Sequence, residues 1–346
     1  TVGMDLGDLR HQVCVLDKKG EVVEERSITN TRDSLAKLAR KYPKAVVAME
    51  TGTHSPWVSR YLEELGCEVI VANARKLRAI YQNERKSDER DAQMLAKLAR
   101  VDRSLLHPVQ HVSEQSQRDL LQVKLRDNLV RQRVDVISAV RFTLKGLGIR
   151  VSSPNTNYFA KRAREELSGE HAEVLELIEP SLSVLDTMTK QIRKLDREIE
   201  AVSEERYPVT KKLREIRGIG PITALCFVLT IEDPGRFARN RDVGAYLGLV
   251  PRRDQSGASD RPLPISKAGN AYLRRLLVGS AQYLLGPHGG ECELRDRGLR
   301  LVERGGRGAK NKAAVATARK LAVLMLALWR SGHDYEAYRG EERQAA

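Results

Sequence analysis

Thr1-Val2-Gly3-Met4-Asp5-Leu6-Gly7 opens the chain, a short apolar run that ends on a carboxylate. The pattern returns at Ala45-Val46-Val47-Ala48-Met49, which ends on Glu50. A third acidic piece, Ser87-Asp88-Glu89-Arg90-Asp91, begins a helical pattern and sets Asp88 and Asp91 three residues apart. Positions i and i+3 share a helix face, so both acids can point the same way. Strand ends and one helix face are how a fold converges carboxylates on a point. Unpaired carboxylates repel, and a hard divalent cation such as Mg²⁺ resolves the repulsion. Taken singly, each acid reads equally well as a solvated surface residue.

The surrounding segments alternate between strand and helix. Val2–Met4, Gln12–Leu16 and Glu21–Ser27 read as three strands in a meander, with Asp17-Lys18-Lys19-Gly20 as a turn. A helix is expected over Thr31–Arg40, a strand over Ala45–Met49, and a helix from Ser55, with Ser55 as its cap and Pro56 in its first turn. Glu68–Ala72 reads as a fifth strand, and Ser87 as the cap of a helix that reaches about Arg100. The pattern is α/β with a mixed sheet.

Residues 111–206 differ in character. Val123, Leu125, Leu129, Val130, Val134, Ile137 and Val140 mark one apolar stripe. Leu182, Leu185, Met188, Ile192, Leu195 and Ile199 mark another, at spacings of three and four. Two long helices with a coiled-coil seam fit this spacing, either between two copies or as a hairpin within one chain. Three domains are expected: 1–108, 109–206 and 207–346.

Charge is uneven along the 346 residues. The net charge is +14, and residues 207–346 carry 25 Lys and Arg against 14 Asp and Glu, a net +11. A basic C-terminal part points to a polyanionic partner. Its motifs agree. Ile216-Arg217-Gly218-Ile219-Gly220-Pro221 is similar to the turn of helix-hairpin-helix modules, whose backbone N–H groups hold phosphate, although such turns also serve as plain connections. Arg252, Arg253, Lys267, Arg274, Arg275, Lys312, Arg319 and Lys320 are further candidates for nucleic-acid contact, beside Arg217, Gly218 and Gly220. Gln255-Ser256-Gly257 reads as a loop in which the Ser256 hydroxyl has cations nearby to steady charge on phosphorus; Ser259 is a local competitor.

Cys14, Cys67, Cys226 and Cys292 are scattered, which argues against zinc and against a disulfide framework. Leu321–Trp329 is too short to span a membrane, and no signal peptide is visible. A cytoplasmic protein is expected. Thr1 falls inside a strand, so further residues are expected to precede it.

Several motifs together resemble the DEDD transposases of bacterial insertion sequences and the related Piv-type DNA invertases. They are Met4-Asp5-Leu6-Gly7, Ala48-Met49-Glu50-Thr51-Gly52, Lys86-Ser87-Asp88-Glu89-Arg90-Asp91-Ala92, the Ile216–Pro221 turn, Gly248-Leu249-Val250-Pro251, Gln255-Ser256-Gly257 and the Ile265–Arg275 segment. The resemblance spans nearly the whole chain in order. It implies an RNase H-like, RuvC-type α/β N-terminal domain, a long-helix or coiled-coil middle and a mostly α C-terminal transposase domain. By that resemblance Asp5, Glu50, Asp88 and Asp91 are a metal-binding tetrad for Mg²⁺, and Ser256 attacks DNA. It further implies a non-coding bridge RNA as guide, donor and target DNA as partners, and homodimers that assemble into a homotetramer with composite sites. Three other readings stand beside it: a junction resolvase using the acids and water alone, a sugar-kinase-like ATPase whose later phosphate-binding motifs are not found, and a non-enzymatic scaffold.

Overall fold

The computed structural model describes residues 1–77, 87–153, 155–256 and 259–338. Lys86 and Gly257, quoted above, lie outside them, as do the side chains of Ser256 and Ser259. The chain divides into two compact units, Thr1–His111 and Val112–Ala346.

The first unit is built on a five-stranded sheet in the order β3-β2-β1-β4-β5. Its strands are β1 (Val2–Leu6), β2 (Arg10–Leu16), β3 (Val22–Thr29), β4 (Val46–Glu50) and β5 (Glu68–Ala72). The first three form an antiparallel meander, and β1 and β4 then pair in parallel, as do β4 and β5. Side chains alternate between the faces of a strand. Val2, Met4, Val13, Val15, Val47 and Met49 therefore share one face, packed with Leu35 and Leu38 of α1 (Arg32–Lys41) and Val58 and Leu62 of α2 (Ser55–Glu64). On the other face Ala48 packs with Leu95 and Ala99, and Cys14 and Leu16 with Ala92 and Ala96, all four helical partners lying on α3 (Asp88–Val101).

The helix starts follow their caps, with one exception. Thr31 and Ser87 accept at their side chains from the N–H groups of Ser34 and Arg90. Ser55 does not cap α2. It is the first helical residue, and its hydroxyl is occupied by the backbone of Gly52 and by His111 Nε2 at 2.9 Å. His54 takes the cap position, and its side chain makes no capping bond.

The second unit contains α4 (Glu114–Gly146), α5 (Phe159–Leu167), α6 (Ala172–Arg206), α7 (Val209–Arg214), α8 (Pro221–Ile231), α9 (Asp242–Tyr246), α10 (Ala271–Leu285), α11 (Glu293–Glu303) and α12 (Ala309–Ser331), with a hairpin of β6 (Pro251–Ser256) and β7 (Ser259–Ile265) between α9 and α10. Helices α4 and α6 pair antiparallel: Arg206 bonds to Asp119, Arg126 to Asp196, and Arg133 to Thr189. The stripe on α6 is covered within this one chain. Leu182 and Leu185 pack with Ile137, Val140 and Leu144, and Ile199 joins the main core with Leu120, Val123, Phe227, Leu277 and Met325. Of the two arrangements that the spacing allows, this is the intrachain hairpin.

All four cysteines are buried and free, and burial pushes the Cys226 thiol up to about 12. Among the described residues no helix is long and apolar enough to cross a membrane.

One contact decides how α3 sits on the sheet. A Cβ on Gly3 would stand 1.9 Å from the Ala92 carbonyl oxygen and 2.6 Å from the Ala96 nitrogen, both backbone atoms. Gly3→Ala therefore forces helix and strand apart. We expect a loss of about 3 kcal/mol in the first unit's stability, read as a lowered melting temperature by circular dichroism. An unchanged melting temperature would mean that α3 is not seated there.

Candidate active site and nucleic-acid surface

The parallel register Val2↔Val47, Gly3↔Ala48, Met4↔Met49 brings Asp5 beside Glu50 at adjacent strand ends. Strand parity puts Asp5 on the face of Gly3, and Glu50 on the face of Ala48. Both are the α3 face. Since Ala92 lies on Gly3, the helix begins over the same end of the sheet, with Asp91 next to that contact and Asp88 one turn before it. Asp91 is buried and 9% exposed, whereas Asp88 is exposed. The backbone thus carries all four acids to one end of the sheet.

The side chains are less closely gathered. Four carboxylates are the oxygen donors that suit a hard cation. Among the described residues, however, no three His, Cys, Asp or Glu side chains stand together closely enough to hold a metal ion.

A strap beside the acids was not foreseen in the sequence. His54 Nε2 lies 3.0 Å from Asp8 Oδ1, and Trp57 Nε1 donates to His54 Nδ1 at 3.3 Å. Because Nδ1 accepts, Nε2 carries the proton and donates to Asp8. Asn30 Nδ2 donates to the Asp8 carbonyl oxygen at 2.9 Å. The His54–Asp8 bond joins the turn after β1 to the loop after β4, the two segments that directly follow Asp5 and Glu50. The only advance signal was a histidine between Glu50 and a proline-started helix.

Ser256 is the last residue of β6 and pairs with Ser259 on β7. The loop expected around it is instead a strand end in a β-hairpin. The hairpin is fastened at its base. A Cβ on Gly248 would stand 2.2 Å from the Ala268 nitrogen, and one on Gly269 would stand 2.1 Å from the Tyr246 carbonyl oxygen; both glycines have positive φ, 68° and 66°. Ser266 N–H donates to the Val250 carbonyl, and Lys267 N–H to that of Gly248. Arg274 Nη1 donates to the carbonyls of Leu247 and Ala268 at 3.0 and 2.7 Å. Asn270 caps α10 through the N–H groups of Tyr272 and Leu273, and its amide donates to Thr230.

The basic candidates separate by role. Lys267, Arg274 and Arg275 line one cavity of about 350 Å³, together with Ala271 and Gln282. Arg274 also braces the hairpin base, and Arg275 is tied to Asp127 of α4. Arg252 and Arg253 are exposed on β6, Lys312 and Lys320 are exposed on α12, and Arg319 lies across Gly244. Gly218, with φ 82°, shapes the turn between α7 and α8, while Ile216 and Ile219 are buried and Arg217 and Gly220 are exposed.

Comparison with known proteins decides what these parts belong to. A DEDD transposase model of the IS110 type, described as Transposase, matches residues 2–149. A second, described as Transposase IS116/IS110/IS902 family, matches residues 210–290. The chain belongs to the IS110 family of DEDD transposases. It is similar to the transposase for insertion sequence element IS1111A of Coxiella burnetii, with 29% identity over 94% of this chain and 88% of the relative. It is also similar to a probable family 20 transposase of Pseudomonas aeruginosa, with 28% identity over 94% of this chain and 96% of the relative. The transposase for element IS1328 of Yersinia enterocolitica is 28% identical over 81% of this chain and 82% of the relative. The chain is a DNA transposase, an enzyme of DNA recombination that acts on DNA. Its family indicates dependence on a divalent metal. The first match takes in all four acids, and the second takes in the hairpin with its glycine base.

Gly269→Ala tests that base. Left-handed backbone and the clash with Tyr246 together should cost about 3 kcal/mol locally. Amide hydrogen exchange over residues 248–268 should quicken by two orders of magnitude, with the sheet of the first unit unaffected. Exchange at the wild-type rate would show that the hairpin base is not fastened there.

Proposed function

We propose that this transposase is an RNA-guided DNA recombinase of an insertion sequence, with Asp5, Glu50, Asp88 and Asp91 as its Mg²⁺-dependent acidic site and Ser256 as its nucleophile. The observation that carries the reading is the arrival of Asp5 and Glu50 at neighbouring strand ends, on the face where α3 begins with Asp88 and Asp91. The strand order β3-β2-β1-β4-β5 supports an RNase H-like, RuvC-type organisation of the first unit. Position at the far end of a fastened hairpin supports a reactive role for Ser256. DNA and a bridge RNA are its partners in this reading, in a homodimer that assembles into a homotetramer. The division into 1–108, 109–206 and 207–346 assigns the acids, the helical hairpin and the serine to successive domains.

The chemistry follows from storing bond energy. Ser256 Oγ attacks a DNA phosphorus, loses its proton, and forms a phosphoserine ester; the leaving DNA oxygen departs and takes up a proton. A hydroxyl of a second strand then attacks the same phosphorus and releases the serine. Hydrolysis would discard the energy that this ester keeps. Charge on the five-coordinate phosphorus needs cations or N–H donors close by, and Arg252 and Arg253 share the β6 strand with Ser256.

Asp88→Asn alters an exposed carboxylate and should leave the fold intact while strand cleavage falls at least 100-fold, as should excess chelator with the wild type. Cleavage that survives chelation would remove the metal from the reading. Ser256→Ala should bind DNA and RNA as before, yet yield no protein–DNA adduct on denaturing gels and no recombinants. Mass spectrometry of the adduct locates the ester; a peptide linked through Ser259, or recombination by the Ser256→Ala protein, would overturn the assignment. Cleavage without any adduct would mean that water is the nucleophile.

A further inference from the structure

The pair formed by α4 and α6 holds a charged side chain at its centre. Arg133 is 6% exposed, between the apolar layer of Ile137 and Leu185 on one side and that of Val123 and Ile199 on the other. Its Nη1 donates to Asn157 Oδ1 at 2.7 Å and to Thr189 Oγ1 at 3.3 Å, and its Nη2 to Thr156 Oγ1 at 3.1 Å. All three acceptors are neutral. The carboxylate that most favours its charge, Asp196, is taken by Arg126 at 2.8 Å. Among the described residues Arg133 Nε has no acceptor. Burial lowers the affinity of the guanidinium for its proton, and Arg126 and Arg193 act in the same direction. A buried cation whose hydrogen bonds all go to neutral acceptors is costly, and groups perturbed in this way cluster at functional sites.

Asn157 and Thr189 also line a cavity of about 320 Å³, whose other walls are Asp186, Lys190, Arg193 and Arg197. Positions 186, 190, 193 and 197 step by four, three and four, which is one helix face. Asp186 is engaged by Arg164 at 2.7 Å. Lys190, Arg193 and Arg197 make no ion pair among the described residues, so the cavity is strongly cationic. An ordinary solvated basic face would have no buried guanidinium behind it. Arg133 also sets the polarity of the wall. Thr189 Oγ accepts from it, so the hydroxyl proton is turned elsewhere, and Asn157 accepts through Oδ1, which leaves its amide N–H groups as donors. Three cations and two neutral polar groups around one cavity, against a single carboxylate already held by Arg164, match the oxygens of a phosphate.

We propose that this cavity binds the phosphodiester backbone of a nucleic acid, with Lys190, Arg193 and Arg197 on the phosphate oxygens and Arg133 as a positioning residue for Asn157 and Thr189. The inference rests on the nucleic-acid reading above and adds a site on the helical hairpin, away from the serine and the acids in sequence.

Fluorescence anisotropy of the full chain with a short single-stranded RNA and a short DNA duplex, over a salt series, tests it. The double variant Arg193→Gln, Arg197→Gln changes two surface side chains and should weaken binding at least 10-fold at low salt. The slope of log affinity against log salt should fall by about 1.4 for the RNA or about 1.8 for the duplex, because each lost phosphate contact removes its share of released counterions. The arm that responds identifies the strand. Thr189→Val removes a hydroxyl that accepts from Arg133 and can donate into the cavity, but no charge, and should weaken the same arm by a few-fold with its slope unchanged. Wild-type affinity and slope for the double variant on both nucleic acids would overturn the site and leave the wider reading intact. A wild-type chain that binds neither would overturn both. Displacement of the RNA or DNA by an acidic peptide with equal efficiency would assign the cavity to a protein partner instead.

Discussion

The backbone of α3 rests on the α-carbon of Gly3, and the placement of the acids at one end of the sheet depends on that contact. Any side chain at position 3 would meet the carbonyl of Ala92 head-on. With none there, the helix comes close enough to bury Ala92 and Ala96 against the sheet. Asp91 is then carried to the end of β1 by a single packing decision, and the β1–β4 register carries Glu50 to Asp5. Two constraints of backbone geometry thus bring together residues that are 86 positions apart at the extremes, Asp5 and Asp91.

Much of the first unit was legible because its strands are short, apolar and β-branched, with turns of Asp, Gly and Lys between them. Val46-Val47-Ala48-Met49 has little choice but a buried strand, and Ser87 before a helical acid pattern has the chemistry of a cap. Ser55 misled, since a serine before proline resembles a cap but here closes a turn on Gly52. The β6–β7 hairpin escaped notice for a different reason. Arg252, Arg253, Asp254 and Gln255 show no alternation of apolar and polar residues; all four are exposed, and the strands pair through backbone. The close approach of Gly248 and Gly269 joins segments some twenty residues apart, which no local pattern announces. Periodicity revealed the α6 stripe, but its partner depended on tertiary pairing with α4. Asp5, Glu50, Asp88 and Asp91 stand out in the sequence as acids at strand ends and in a helix's first turn, whereas the Asp8–His54 bond does not, since it joins loops whose adjacency comes from strand order.

Helices α4 and α6 belong to two cores at once. Near Val123 and Ile199 they are part of the same body as α8, α10 and α12, and near Ile137 and Leu185 they share a separate core with α5. Between these cores lies the polar layer of Arg133, Thr189 and Asn157. Apolar layers stabilise with little regard to sliding, whereas directional bonds hold only at one offset. The polar layer therefore sets the longitudinal register of the pair, at an energetic cost that leucine in its place would not carry.

The fastened base of the β6–β7 hairpin makes the two strands a cantilever. Six residues at about 3.3 Å each put Ser256 on the order of 20 Å from the glycine clamp. The reach of the backbone at position 256 is then a matter of strand length, much as a crane's reach is a matter of its boom. Lengthening both strands by two residues would extend that reach by about 7 Å and keep every side chain on its own face, whereas adding one residue to each would turn the tip over. Length along this arm can therefore change in steps of two without turning its tip over.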